Sequence, residues 1–175
     1  LLDQQSPDEE GCFMLGFEAN EVQQISIRVG LQSISFYVIP GKTYQLHFNE
    51  ITLEDQNIFL PEKPLRVVFE KEDLLNLVID GFEYEYQNFL QDKFIYLIKL
   101  RDKSLYQNFE KKINSILEET IIDDSIVEQY FKEYINFRMA ELRWTARVEA
   151  REKIGLEWLA NQPIRFSNTA YAMFF

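Results

Sequence analysis

The hydrophobic pattern of the chain changes period once, close to residue 70. Before that point apolar residues recur at every second position: Phe13, Leu15 and Phe17, then Ile25, Ile27 and Val29, then Ile34, Phe36 and Val38, then Tyr44, Leu46 and Phe48. The residues between them are mostly polar, as in Gln24, Ser26 and Arg28, which is the alternation of half-buried antiparallel strands. In the third run the intervening set Ser35, Tyr37 and Ile39 turns apolar at its end, so this strand is expected to be more central than its neighbours. Leu65–Phe69 reads as one last strand after the boundary marked by Pro61-Glu-Lys-Pro64. Short strands about ten residues apart with turns between them predict a sandwich.

Pro40-Gly41 separates the two most apolar runs. Proline sets the φ of the first central position of a turn and glycine supplies the positive φ that the second needs in type II. A type II turn does not match the twist of a tight hairpin. Strands 34–39 and 43–49 are therefore expected to arch between two sheets and not to pair with each other.

Past Phe69 the spacing becomes helical. Leu75, Val78, Phe82, Tyr86, Phe89, Phe94 and Leu97 predict a helix over about 72–100, with Gly81 a weak point of about 1 kcal/mol relative to alanine. A second helix carries Leu105, Phe109, Ile113, Ile116 and Leu117. A third starts at Asp123-Asp124-Ser125, where acids and a capping side chain suit a helix N-terminus. Its apolar residues, from Val127 through Phe137 to Leu142, Trp144 and Val148, cover more than one stripe, so it should be the central helix of a bundle. A fourth runs over about 150–160 to Asn161-Gln162-Pro163, and Ser167-Asn168-Thr169 caps a fifth. The fold class expected is α+β: an antiparallel β-sandwich-like domain over 1–70, incomplete at its N-terminus, and a helical bundle of four to five helices over 71–175.

The ends carry expectations of their own. Ser6-Pro7 and the acids up to Gly11 have turn chemistry with no full strand ahead of them. The chain opens on Leu1 and closes on Met173-Phe-Phe175, which together predict a processed or excised piece with more protein beyond.

Composition narrows the chemistry. With 46% hydrophobic and 15% aromatic residues there is ample material for a core. A net charge of −11 and a pI near 4.6 disfavour sequence-independent binding to nucleic acid or an anionic membrane. No run approaches the roughly 18 apolar residues of a spanning helix. Cys12 is the only cysteine and His47 the only histidine, so neither a disulfide, a CxxC pair nor a zinc set can be assembled within the chain. Cys12 is expected to be a small buried strand residue, and His47 a solvated one beside Gln45 and Asn49. Glycines are scattered, with no phosphate loop among them, and Asp123-Asp124 lacks the calcium-loop offsets. No carboxylate pair stands out as a catalytic couple; Glu83 and Glu85 are expected to be solvated. No cofactor is implied. Trp144 and Trp158 sit at helical core spacing and are expected inside the bundle.

The arginines form the one notable constellation. Arg138, Arg143, Arg147 and Arg151 lie on or just after the third helix, the last three at i, i+4 spacing. They can hold an anion or an acidic partner. The reading given more weight is that Arg138 pairs with Glu141 or with a carboxylate from another helix, while the other three make an exposed face.

Taken together, Gly11-Cys-Phe-Met-Leu-Gly-Phe17, the short strand ending Val29-Gly30, and Tyr37-Val-Ile-Pro-Gly-Lys-Thr-Tyr44 resemble the β-domain at the N-terminus of secreted Bacteroidetes proteins. Many of those continue into a thioredoxin-like thiol–disulfide domain. Tyr134-Ile-Asn-Phe-Arg-Met-Ala140 and Asn161-Gln-Pro-Ile-Arg-Phe-Ser-Asn-Thr-Ala-Tyr171 resemble the helical insert that joins the two. The resemblance supplies no catalytic residue, because the CxxC of such proteins would lie beyond Phe175. It implies an exported, periplasmic or envelope-associated protein. The function expected of the chain itself is that of a non-catalytic accessory or interaction region with a protein or peptide partner. A small-ligand or peptide-binding module with its pocket between sheet and bundle, lined by Tyr and Arg, and the front part of a thiol–disulfide oxidoreductase, are the alternatives.

Overall fold

A computed structural model of the protein describes residues 3–30, 32–48, 65–160 and 163–174. The boundary at Pro61–Pro64 and the stop at Asn161-Gln162 fall outside these residues. The fold is α+β. Four strands come first: β1 (Gln23–Val29), β2 (Gln32–Val38), β3 (Leu46–Phe48) and β4 (Val67–Phe69). Helices follow: α1 (Leu74–Ile95), extended by a π-helical turn over Tyr96–Leu100, then α2 (Lys103–Glu119), α3 (Ser125–Ala146), α4 (Arg151–Gly155) with a second π turn over Leu156–Ala160, and α5 (Thr169–Phe174).

Among the described residues the strands make two two-stranded antiparallel sheets, β1–β2 and β3–β4. A sandwich is not seen. Residues 12–18, expected as its first strand, alternate in burial only from Leu15 on, with Leu15 and Phe17 half-buried and Gly16 and Glu18 exposed, and they join no ladder among the described residues. A side chain diverts the amides at the start of this stretch. Asp8 Oδ1 accepts from the amides of Glu10 and Cys12, closing a loop that leaves Cys12 exposed where burial was expected.

The arch is present. Lys42 N donates to Ile39 O at 3.2 Å across Pro40-Gly41, Gly41 has φ +74°, and the chain crosses from β2 in one sheet to β3 in the other. β2 consequently has two buried faces. Phe36 meets Phe69 edge-on at 5.6 Å and Tyr44 at 6.3 Å, while Tyr37 turns the other way, onto Tyr130 at 5.7 Å and Tyr134 at 6.0 Å of α3. Four consecutive residues, Phe36 to Ile39, are buried for this reason.

The helices begin where short polar side chains take up free amides. Asp73 accepts from Asn76 N, Asp102 from Ser104 N, Asp124 from Ile126 N and Val127 N, and Asn168 from Ala170 N and Tyr171 N. Such caps stabilise a helix by about 1 kcal/mol each. The central position of α3 follows from its sequence: it packs on α1, α2, α4 and α5, and Val127, Phe131, Ile135, Ala140 and Leu142 are almost fully buried. Val22, Tyr37 and Ile39 belong to the same core cluster as the helices. Trp144 and Trp158 do not reach its centre. Both are half-buried at its rim, Trp158 edge-on to Phe137 and Trp144 edge-on to Phe174.

Candidate functional site

The four arginines singled out by spacing have three different environments. Arg138 projects from α3 into a polar seam inside the core. Its Nε and Nη2 donate to the two carboxylate oxygens of Glu83 on α1, at 2.7 and 3.0 Å, and Nη1 donates to Glu141. The guanidinium lies over the Tyr86 ring, 4.2 Å from its centroid. Tyr134 Oη also donates to Glu83, at 2.8 Å. Glu83 is therefore not the solvated residue expected; it is half-buried and holds two donors of α3. Glu85 is likewise engaged, with Lys112 of α2. The carboxylates hold the Arg138 guanidinium charged, raising its pKa against the opposing effect of burial. Burial raises the phenol pKa values of Tyr86, Tyr130 and Tyr134 well above the ordinary value, so this seam is neutral phenol and paired charge.

Arg143 is half-buried and pairs with Glu149 and, at 3.5 Å, with Glu157. The contacts to Lys153 and Arg143 hold the Glu149 carboxyl below its usual range. Arg143 has no charge left over for a ligand.

Arg147 and Arg151 differ. α3 ends at Ala146, and Arg147 takes a left-handed conformation, φ 52°, as the residue that closes it. The i, i+4 series from Arg143 is broken there, so Arg147 and Arg151 leave the helix surface that the spacing implied. Both reach a cleft of about 380 Å³ whose walls are Phe94, Ile98, Arg101, Thr145, Arg147 and Arg151. Arg101 was not anticipated. It closes the π turn after α1 in the same left-handed conformation, φ 53°. Two helix C-termini thus meet here, each closed by an arginine where glycine is usual. Nothing local in the sequence marks this, since it depends on where two helices 46 positions apart come to an end.

Arg101, Arg147 and Arg151 make no ion pair within 4.0 Å among the described residues. The Arg151 guanidinium is held over the Trp144 ring at 5.5 Å, which fixes it without neutralising it. Phe94 on the cleft wall is 45% exposed, and Ile95, Tyr96 and Leu100 at the same helix end are exposed as well. A second, smaller hollow of about 80 Å³ lies between α2 and α3, against Tyr106, Asn114, Asn136 and Trp158.

Among the described residues no group of three or more His, Cys, Asp or Glu side chains can hold a metal ion, and no helix is long and apolar enough to cross a membrane. His47 is exposed on β3 opposite Val68. No protein-family model, no curated protein and no solved structure matches the chain.

Proposed function

We propose that this chain is a non-catalytic binding region of an exported envelope protein, and that the cleft at the ends of α1 and α3 is where it takes an anionic ligand. One observation carries this reading. In a protein of net charge −11, three arginines without a carboxylate partner among the described residues converge on one cleft that has an apolar floor. Its volume of about 380 Å³ lies within the range of about 300–1,000 Å³ usual for small-ligand sites, while its walls are richer in charge than most, three of its lining residues being arginines. Arg138 and Arg143 serve as internal struts in this reading. The export assignment rests on the resemblance of Tyr37–Tyr44 and Tyr134–Ala140 to envelope proteins. The contact of Phe36 with Phe69 across the arch supports a sandwich-like arrangement for the β-region.

The test is a thermal-shift series in dilute buffer with phosphate, sulfate, citrate and acetate, repeated on Arg101→Gln, Arg147→Gln and Arg151→Gln. Anion stabilisation that these replacements remove supports the reading. No stabilisation by any anion at millimolar concentration overturns it, as does turnover of thiol, glycoside or ester substrates by the purified chain.

A further inference from the structure

The charge and walls of the arginine cleft allow its ligand to be named more closely, an inference that rests on the binding function just proposed. Three guanidiniums contribute +3. The two helix C-termini that meet there, at Leu100 and Ala146, each oppose this with about half a negative charge. The site therefore presents roughly two positive charges, and its best match is a dianion. A monoanion leaves it unbalanced. The donors are guanidiniums, whose planar forks bind phosphate oxygens in pairs, with the Thr145 hydroxyl as a neutral neighbour. Phe94 and Ile98 supply apolar wall beside these donors, and Ile95, Tyr96 and Leu100 extend exposed apolar surface along the same helix end.

We propose that the cleft binds a free organic phosphate monoester, its phosphate held by Arg101, Arg147 and Arg151 and its aromatic or aliphatic part laid against Phe94 and Ile98. Phosphate monoesters carry about −1.5 to −2 at neutral pH, which matches the charge of the site. Inorganic phosphate satisfies the arginines and leaves the apolar wall wet. Benzoate reaches the wall and supplies one charge.

Phenyl phosphate, inorganic phosphate and benzoate titrated calorimetrically into the whole chain at low salt and pH 7.5 separate these contributions. Phenyl phosphate is expected to bind at least tenfold more tightly than either of the others. Arg147→Gln with Arg151→Gln should weaken it at least tenfold, and because both residues are exposed the melting temperature should hold. Phe94→Ser should bring phenyl phosphate down to the affinity of inorganic phosphate and leave the latter unchanged. Equal binding of the two phosphates, dependent on the arginines, overturns the ester and leaves the anion site standing. Benzoate as tight as phenyl phosphate overturns the dianion requirement. Sedimentation with phosphatidic acid vesicles in the absence of phenyl phosphate binding overturns the free ester in favour of a lipid headgroup. No binding of any anion, or binding indifferent to the arginine replacements, overturns the ester and the anion site together.

Discussion

Replacing Asn76 by leucine should detach β2 from the first helix. Asn76 is 7% exposed, and its amide imitates a neighbouring strand: Tyr37 N donates to Oδ1 at 2.7 Å and Nδ2 donates to Tyr37 O at 2.9 Å. Tyr37 is paired with Gln24 of β1 in the ladder, so these are the backbone groups that β2 turns away from its only strand neighbour among the described residues. A second bond from Nδ2 to Asp73, at 2.7 Å, fixes which end of the amide faces which group. Leucine has the same number and branching of side-chain heavy atoms, with bulkier methyl groups, and satisfies neither. Two buried backbone groups are then left without partners, at about 1–3 kcal/mol each. The expected loss is about 2–6 kcal/mol, a large part of the total stability of a typical domain. Urea unfolding followed by circular dichroism measures it as a lower midpoint with unchanged slope, and hydrogen exchange should show the Tyr37 amide losing protection specifically. A loss below about 1 kcal/mol, or a Tyr37 amide still protected in Asn76→Leu, would refute the role given to this pair.

Three further outcomes are expected. Arg138→Met leaves Glu83 facing Tyr134 without its cation and should cost about 2–4 kcal/mol, less than a fully buried pair because Glu83 retains a quarter of its side-chain exposure; adding Glu83→Gln should recover part of the loss in the same urea assay. Gly81→Ala should raise the melting temperature by about 2–4 °C, since a Cβ meets nothing within 4 Å and alanine is the better helix former by about 1 kcal/mol; no gain would show the helix curved or strained at that point. Alkaline pH should unfold the protein cooperatively. Burial raises the folded-state pKa of Tyr86, Tyr130 and Tyr134 above the unfolded value near 10, and that of Tyr44 to about 12. Their stabilisation is whole below pH 10 and is lost as pH rises toward the folded values, by about 1.4 kcal/mol per pH unit for each buried phenol. Phenolate absorbance rising ahead of unfolding by more than the exposed Tyr84 and Tyr96 account for would contradict this.

Sequence patterns foretold most elements whose causes are local. The arch at Pro40-Gly41 follows from two φ preferences, and the starts of α3 and α5 follow from Asp124 and Asn168 binding amides a few residues on, while the Asp73 cap of α1 was not read from the sequence. The periodicity of residues 12–18 was equally visible, but period alone does not supply a partner strand, and Asp8 takes the amide of Cys12. Of the two carboxylates that hold Arg138, Glu141 three residues on was open to a spacing argument, while Glu83 lies 55 residues away on another helix. The arginine cleft was half legible. Arg147 and Arg151 stood out by spacing, while Arg101 entered only through the fold, because left-handed closure of a helix by a non-glycine residue leaves no signature.

The change of hydrophobic period near residue 70 looks like a place to cut the protein, and the two faces of β2 say otherwise. Tyr37 rests on Tyr130 and Tyr134 and its hydroxyl lies 2.7 Å from that of Thr169, so a fragment starting at Leu74 would open an aromatic surface on α3 and strip α5 of a contact. Expression as separate halves at the boundary that the sequence advertises therefore invites aggregation.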